Sequence, residues 1–482
     1  LQRKDNIKYY DIPEPKNLFF EINKNGKIKI VAGELYRLID KLGYKKYYIS
    51  KDKYIFIRND NGIIKQVIRA EIKDCIKKYI RENFKDNAND IEDAFITSMN
   101  RLFSEQTLEH LENINPDFFR DTKDACYIPF KNGIVEIGKS EVNLLPYSTL
   151  ENNVIWETEI KDFEFKKVDR ETINNFSFAK FIKNVSGDDN RETSLKSIIG
   201  YLLHRYKTKE TAKAIILMDS TLTDIDEHQG RAGKTLIGNA IEKLRNFTTL
   251  NGKTYKPDDK FQFSQVNIDT NICFFNDVKS NFDFESLFNL VDDDFIIERK
   301  NQHSYKIPFK DSPKLLITTN QIIKGIGSSY EDRKLEFELT NFYNIDHKPK
   351  DDFKELFFDD WNNDKWNIFL NYMIDCIQTY LNYGLIEPKN INKKEKVFEL
   401  NTSRDFTEFA KDYIEINKEY NKNKLYLDFK DKHKDHINLT SNTFTQWLKH
   451  YGIYKECKNF KHRERIYPYQ SRESNGLLFI TF

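Results

Sequence analysis

The chain has 482 residues, with 77 Lys and Arg against 76 Asp and Glu and a formal net charge of +1. That balance excludes a globally basic nucleic-acid coat, so any DNA-contacting surface has to be local. No run reaches the roughly 18 apolar residues that a membrane-crossing helix needs, and the length predicts about two to four domains.

Cys75, Cys126, Cys273, Cys376 and Cys457 are scattered without metal or redox spacing, which predicts reduced thiols in a cytoplasmic setting. The sequence opens on Leu1-Gln2-Arg3, with neither an initiator methionine nor a signal-peptide pattern. This suggests a piece of a longer polypeptide. Residues 1–30 are polar, contain Pro13 and Pro15, and read as a linker or arm. Leu35 to Leu42 predicts a helix. Tyr47 to Ile49, Tyr54 to Arg58 and Ile63 to Ile68 predict strands, with Asn59-Asp60-Asn61-Gly62 as the turn between the last two. Residues 70–115 have helical periodicity. Residues 125–160 return to strands around Lys131-Asn132-Gly133, and Ser177 to Tyr206 is helical again.

The chemistry concentrates between Ala214 and Arg333. Ala214 to Met218 is an apolar run that reads as a buried strand, followed by a polar loop and Gly230-Arg231-Ala232-Gly233-Lys234-Thr235. Leu236 to Arg245 then places Ile237, Ala240, Ile241 and Leu244 on one helical face. Strand, glycine loop, Lys-Thr and helix form a phosphate cradle. Backbone N–H groups and the helix N-terminus hold anionic oxygens, Lys234 reaches the outer phosphates, and Thr235 offers its hydroxyl to Mg²⁺. An ordinary helix start is the plainer reading of the same residues. His228 stands where the usual pattern has its leading glycine.

Ile272 to Asp277 is a second apolar strand ending in Asn276-Asp277, so one carboxylate is available for metal or for the attacking water. A capping Asp on a buried strand is the alternative. Leu315 to Asn320 is a third strand, whose terminal Asn320 is suited to the γ-phosphate or the lytic water. Between them Phe295 to Phe309 predicts a hairpin whose tip projects Lys300, His303 and Lys306, a phosphate grip or else a solvated turn. Arg333, just before the strand Leu335 to Leu339, suits an arginine finger reaching a neighbouring subunit, or a surface ion pair of little consequence.

Beyond Leu339 the pattern is helical. Trp361, Trp366, Phe369, Tyr372 and Met373 read as core, with a helix end near Gly384. Residues 389–402 read as a charged linker. Phe406 to Ile416, Leu425 to Lys432 and Phe444 to Tyr451 predict three helices, the last capped within Thr440 to Thr443. Tyr454 to Tyr467 and Gly476 to Phe482 then predict two strands, giving the winged-helix order. Lys461 and Arg463 lie among basic residues at the wing, either a phosphate-contacting surface or a solvated basic face on a protein-binding module.

The four-part set of Lys234-Thr235, Asp277, Asn320 and Arg333 resembles superfamily 3 helicases, the hexameric AAA+ motors of small DNA viruses, phages and plasmids. It is most similar to the helicase part of phage primase–helicase and primase–polymerase proteins, including the poxvirus type. Tyr127 to Ile137, Ile198 to Leu203, Asn251-Gly252-Lys253 and Phe274 to Val278 extend the resemblance over about residues 30–400. The resemblance implies an α/β fold with an AAA+ P-loop core and a winged-helix-like C-terminal domain. It implies Walker A roles for Lys234 and Thr235 within a loop from Gly230 to Leu236, and a Walker B acid at Asp277. It also implies sensor 1 at Asn320, a DNA-gripping loop at Lys300 and an arginine finger at Arg333. ATP and Mg²⁺ are the implied cofactors. Single-stranded and forked DNA, a self-assembled ring and an upstream primase–polymerase domain are the implied partners. Asn276 in place of the first Walker B acid departs from the pattern and bears on turnover rate.

The expected organisation is an N-terminal α+β domain over 1–165, an ATPase domain over 166–345, a helical extension over 346–400 and a winged-helix-like domain over 401–482. An ATP-driven ring helicase is the leading expectation, and a slowly hydrolysing P-loop replication initiator is the alternative. No paired-carboxylate polymerase site is visible in residues 1–120, which disfavours primase or polymerase activity in the chain itself.

Overall fold

The structure is a computed structural model. It describes residues 18–51, 53–220, 233–279, 282–301, 303–320, 323, 328–462, 465–474 and 476–482. Gly230, Arg231, Ala232, His228 and Arg463, together with Pro13 and Pro15, lie outside the described residues.

The N-terminal part is built on a six-stranded sheet. Its order is Asn113–Ile114, Tyr44–Ser50, Lys53–Asp60, Ile63–Val67, Asn153–Trp156, Asp117–Phe118. Asn61 and Gly62 adopt positive φ of 51° and 85°, the left-handed pair that a two-residue hairpin turn requires. Ala32–Lys41, Arg69–Asn83 and Ala88–Leu102 bury Leu35, Ile72, Ile76 and Phe95 in one core beside this sheet. From residue 18 onward the expected polar arm belongs to that core. Phe20–Ile22 pairs antiparallel with Ile28–Ile30, and Phe19, Phe20 and Ile30 are buried. Phe20 meets Phe84 edge-on at 5.2 Å, so two adjacent aromatics outweigh the polar composition around them.

Cys126–Phe130, Gly133–Ile137 and Val142–Leu145 form a three-stranded antiparallel sheet. Its residues Ile128, Phe130, Val135 and Ile137 share a core with helices Ser177–Ser186, Asp189–Leu203 and Asn363–Tyr383. The long helix stops at Gly384, φ 70°, and buries Phe369, Tyr372 and Met373 as the sequence predicts.

The centre is a five-stranded, wholly parallel sheet in the order Phe247–Asn251, Ile272–Val278, Lys314–Thr319, Ala214–Asp219, Lys334–Leu339. Ile215, Leu217, Phe274 and Leu316 face one core, while Ile216, Met218, Phe275 and Ile317 face another. A strand buried on both faces needs an unbroken apolar run, which is why these three strands stand out in the sequence. The chain leaves Ala214–Asp219 toward one sheet edge and leaves Lys314–Thr319 toward the other. These neighbours flank a switch point, and open parallel sheets bind ligands at the carboxyl ends of such strands.

Residues 389–402, expected as a linker, contain the helix Lys393–Asn401. Phe398 is 2% exposed and stacks on Tyr454 at 4.9 Å, 7° from parallel. Phe398 and Lys396 are the buried residues of this helix among those described, while Lys394 is exposed.

The last unit runs helix Arg404–Tyr413, strand Glu419–Asn421, helix Lys422–Lys432, helix Ser441–Tyr454, then strands. Thr440 caps the third helix, its Oγ1 accepting from Thr443 N at 3.1 Å. The expected strand from Tyr454 to Tyr467 is replaced. The helix continues to Tyr454, Phe460–His462 pairs with Arg465–Tyr467, and the partner of Leu477–Thr481 is Gln470–Ser474. Glu419–Asn421 pairs with the other edge of Leu477–Thr481. Lys461 lies on the Phe460–His462 strand.

Candidate active site

The site is at the carboxyl ends of the central strands. Gly233, at φ 99°, is the N-cap of helix Lys234–Glu242. A Cβ there would lie 2.6 Å from Phe181 Cζ, a ring that is fully buried, so side-chain-free backbone is needed on two independent grounds. Lys234 follows at the first helical position and is 8% exposed. Its Nζ pairs with Asp219 Oδ2 and donates to Asn320 Oδ1 at 2.7 Å. Burial pulls the Lys234 ammonium below its ordinary value, and the charges of Asp219 and Asp277 oppose that shift. Thr235 is exposed at the second helical position, and Leu236 is half-buried against the core.

Asp277 lies at a register shift between Phe275 and Val278, with φ 59°. Its backbone N–H donates to Thr318 Oγ1 at 2.9 Å, and that hydroxyl donates to Asn276 Oδ1 at 3.0 Å. The neutral Asn276 thus serves the neighbouring strand, while the Asp277 carboxylate projects and pairs with Lys253 Nζ at 2.6 Å. Lys253 is brought there by Gly252, whose N–H donates to Asn276 O at 2.9 Å. A Cβ on Gly252 would meet Val278 Cγ1 at 2.5 Å. Lys234, at a helix start, thus contacts Asn320, at a strand end, and the Asp277 charge reaches the same ammonium.

Two site residues are absent from the sequence reading. Asp219, one residue past the apolar run Ala214 to Met218, is the direct partner of Lys234. An acid at the carboxyl end of a strand that leads toward a glycine loop is the signal that marks it. Lys253 sits within a segment whose resemblance is recognised, and its link to Asp277 is a matter of strand register, Asn251 opposite Asn276.

Arg333 is elsewhere. Ala214 is in register with Lys334 and Asp219 with Leu339, so Arg333 lies at the amino ends of the strands. At ~3.3 Å per residue, roughly 17 Å of strand separates it from the Lys234 end. It is held within its own chain by Asp292, with Nε and Nη2 at 2.9 and 2.8 Å from Oδ2, and lies over the Phe288 ring.

The expected hairpin forms: Phe295–Ile297 pairs with Tyr305–Ile307. Lys300 and His303 are exposed at its tip. Lys306 pairs with Asp294 at 2.7 Å, which raises its basicity. The hairpin abuts the N-terminal sheet, where Lys53 Nζ stands 4.6 Å from the Tyr305 ring centre.

The donors available are of the kind that hold phosphate-type anionic oxygens and a hard cation. A buried lysine at a helix N-terminus follows a left-handed glycine, with a hydroxyl at the next position and a projecting carboxylate opposite. Among the described residues no group of three or more His, Cys, Asp or Glu is placed to hold a metal ion by itself.

The fold is a mixed α/β architecture around an all-parallel sheet, and no described helix is long and apolar enough to cross a membrane. No protein-family profile and no curated protein matches the sequence. Among solved structures, the A-form apo structure of the NrS-1 C-terminal region is similar at 13% identity and a TM-score of 0.40, covering 93% of this chain and 98% of that one. A crystal structure of JCV helicase is similar at 16% identity and a TM-score of 0.24, over 36% of this chain and 46% of that one. Neither superposition is close enough to define a shared fold.

Proposed function

We propose that the chain is an ATP-driven DNA helicase of the superfamily 3, AAA+ type, which assembles into a ring and separates strands during phage or plasmid replication. On this reading it is the helicase portion of a larger primase–polymerase. The observation that carries it is Lys234: a buried ammonium at a helix start, aimed at the switch point of a parallel sheet and shared between Asp219 and Asn320.

The residues divide the work. Backbone N–H groups at the start of helix Lys234–Glu242 and the Lys234 ammonium hold the β- and γ-phosphates. Thr235 and Asp277 hold Mg²⁺, which when bound neutralises charge developing on the transferred phosphoryl group. Asn320, once Lys234 turns to phosphate, has its amide free to orient the attacking water. Arg333, too far along the sheet to serve its own site, supplies the finger to a neighbour after leaving Asp292. Lys300 and His303 grip the DNA backbone, and the helix–strand–helix–helix–hairpin unit at the C-terminus captures DNA in winged-helix fashion, through basic residues that include Lys461 and Arg463.

One observation favours a slowly hydrolysing initiator as the second reading. Asn276 removes one acid, and the remaining Asp277 is engaged by Lys253. Native mass determination with and without an ATP analogue and single-stranded DNA, alongside ATPase assays of wild type and Lys234→Ala, separates the two. The helicase reading expects a nucleotide-dependent ring and hydrolysis lost in the variant. A monomer that binds nucleotide without turnover supports the initiator.

A further inference from the structure

Behind Lys234 the fold places a second cation. Asp219 is 5% exposed, and of its carboxylate oxygens Oδ2 pairs with Lys234 while Oδ1 is buried without a hydrogen-bond partner among the described residues. The Asp219 backbone carbonyl accepts from Lys396 Nζ. Lys396 comes from helix Lys393–Asn401, is 9% exposed, and stands 3.7 Å from Glu338 Oε1, another buried oxygen without a hydrogen-bond partner.

The chain around Lys396 is fastened to the same two strand ends. Glu338 Oε2 accepts from Ile391 N at 2.6 Å and Asn392 N at 3.1 Å. Asn392 Nδ2 donates to the Ser220 carbonyl at 2.9 Å, and Arg191 donates to the carbonyls of both Glu338 and Lys389. Lys396 thus stands by two buried acids, Glu338 and Asp219, the second of which also pairs with Lys234.

A phosphate drawing on Lys234 brings negative charge against the Asp219 carboxylate, and a buried carboxylate facing a second anion is costly unless another cation compensates it. We propose that Lys396 is the positioning residue that takes over Asp219 when a nucleoside triphosphate engages Lys234, so that the helix leading into the C-terminal unit registers occupancy of the phosphate site. The proposal rests on the phosphate-binding reading of Lys234. Lys396 already donates to the Asp219 carbonyl, and the Asp219 charge acts on its ammonium.

The test is titration of the full chain with a fluorescent ATP analogue and Mg²⁺, for wild type, Lys396→Met, Asp219→Asn and the double variant, with melting curves for each. Lys396→Met is expected to weaken binding by about tenfold or more in the wild-type background and by less than about twofold in the Asp219→Asn background, the coupling expected of contacting charges. Lys396→Arg, which keeps the charge, is expected to bind as wild type. If Lys396→Met does not fold, Lys396→Gln replaces it in the cycle. Equal effects in both backgrounds, or none in either, overturn the proposal while leaving the phosphate site intact. A wild-type chain that binds no nucleotide overturns both.

Discussion

Replacing Gly233 with alanine perturbs the site at its tightest point. At φ 99° an alanine enters the left-handed region at a cost of about 1–2 kcal/mol. Its Cβ also overlaps Phe181 Cζ and Cε2, at 2.6 and 2.8 Å. Phe181 is hemmed in by Phe178 at 5.6 Å, Phe357 at 5.6 Å and Tyr343 at 5.7 Å between ring centres. Relief therefore requires the glycine backbone to move, and overpacking of this kind costs about 1–3 kcal/mol. The sum, roughly 2–5 kcal/mol, falls on the residue that leads directly into Lys234, held between Asp219 and Asn320. Urea unfolding and titration with a fluorescent ATP analogue measure it: the midpoint falls and nucleotide binding is lost. Combining Gly233→Ala with Phe181→Leu removes the overlap but not the backbone strain, so the double variant is less damaged than the sum of the singles, by about 1–3 kcal/mol. A Gly233→Ala protein that melts and binds like wild type refutes the reasoning, and strict additivity refutes the steric half of it.

Arg333→Ala is expected to spare nucleotide binding and to slow hydrolysis by on the order of 10³-fold or more, with partial recovery when mixed with Lys234→Ala subunits because each damages a different side of one interface. No recovery in rings shown to exchange subunits sinks the trans assignment. Alanine at both Lys300 and His303 is expected to leave basal hydrolysis unchanged and to abolish strand separation, whereas unwinding at the wild-type rate removes the hairpin from the mechanism. Lys207 gives a pH signature: burial pushes its amine down to about 7, and its Nζ donates to Ser312 O and Oγ at 3.0 and 2.6 Å. Between about pH 7 and 10 the unfolded chain holds a proton that the folded chain lacks, so stability rises with pH across that window. Lys207→Met is expected to flatten that rise in urea midpoints taken at successive pH values, and an unchanged slope assigns it to other groups such as Lys161, which burial lowers to about 8.

What the sequence discloses depends on how many faces of an element are buried. Ala214–Asp219, Ile272–Val278 and Lys314–Thr319 are covered on both sides, so their apolar runs locate them to within a residue or two. The edge strand Phe247–Asn251, Phe-Thr-Thr-Leu-Asn, holds only two apolar residues and passes unnoticed, although it sets Gly252 and Lys253 beside Asp277. Gln470–Ser474, all polar or charged, has no strand signal of its own and is held by its ladder to Leu477–Thr481. Charged residues mislead in the same way around Lys396 and Asp219. Each is buried through partners far away in sequence, which no local periodicity encodes. Lys234, Asp277 and Asn320 are legible because each sits at the carboxyl end of a readable strand or the start of a readable helix.

The central claim is that nucleotide chemistry at Lys234 drives strand separation. The most direct measurement is unwinding of a forked DNA duplex by the wild-type chain with Mg²⁺ and either ATP or a non-hydrolysable analogue, with Lys234→Ala in parallel. Separation is expected with ATP alone, and none with the analogue or the variant. Equal separation in all three conditions contradicts it, as does ATP hydrolysis in the wild type with no separation on any fork.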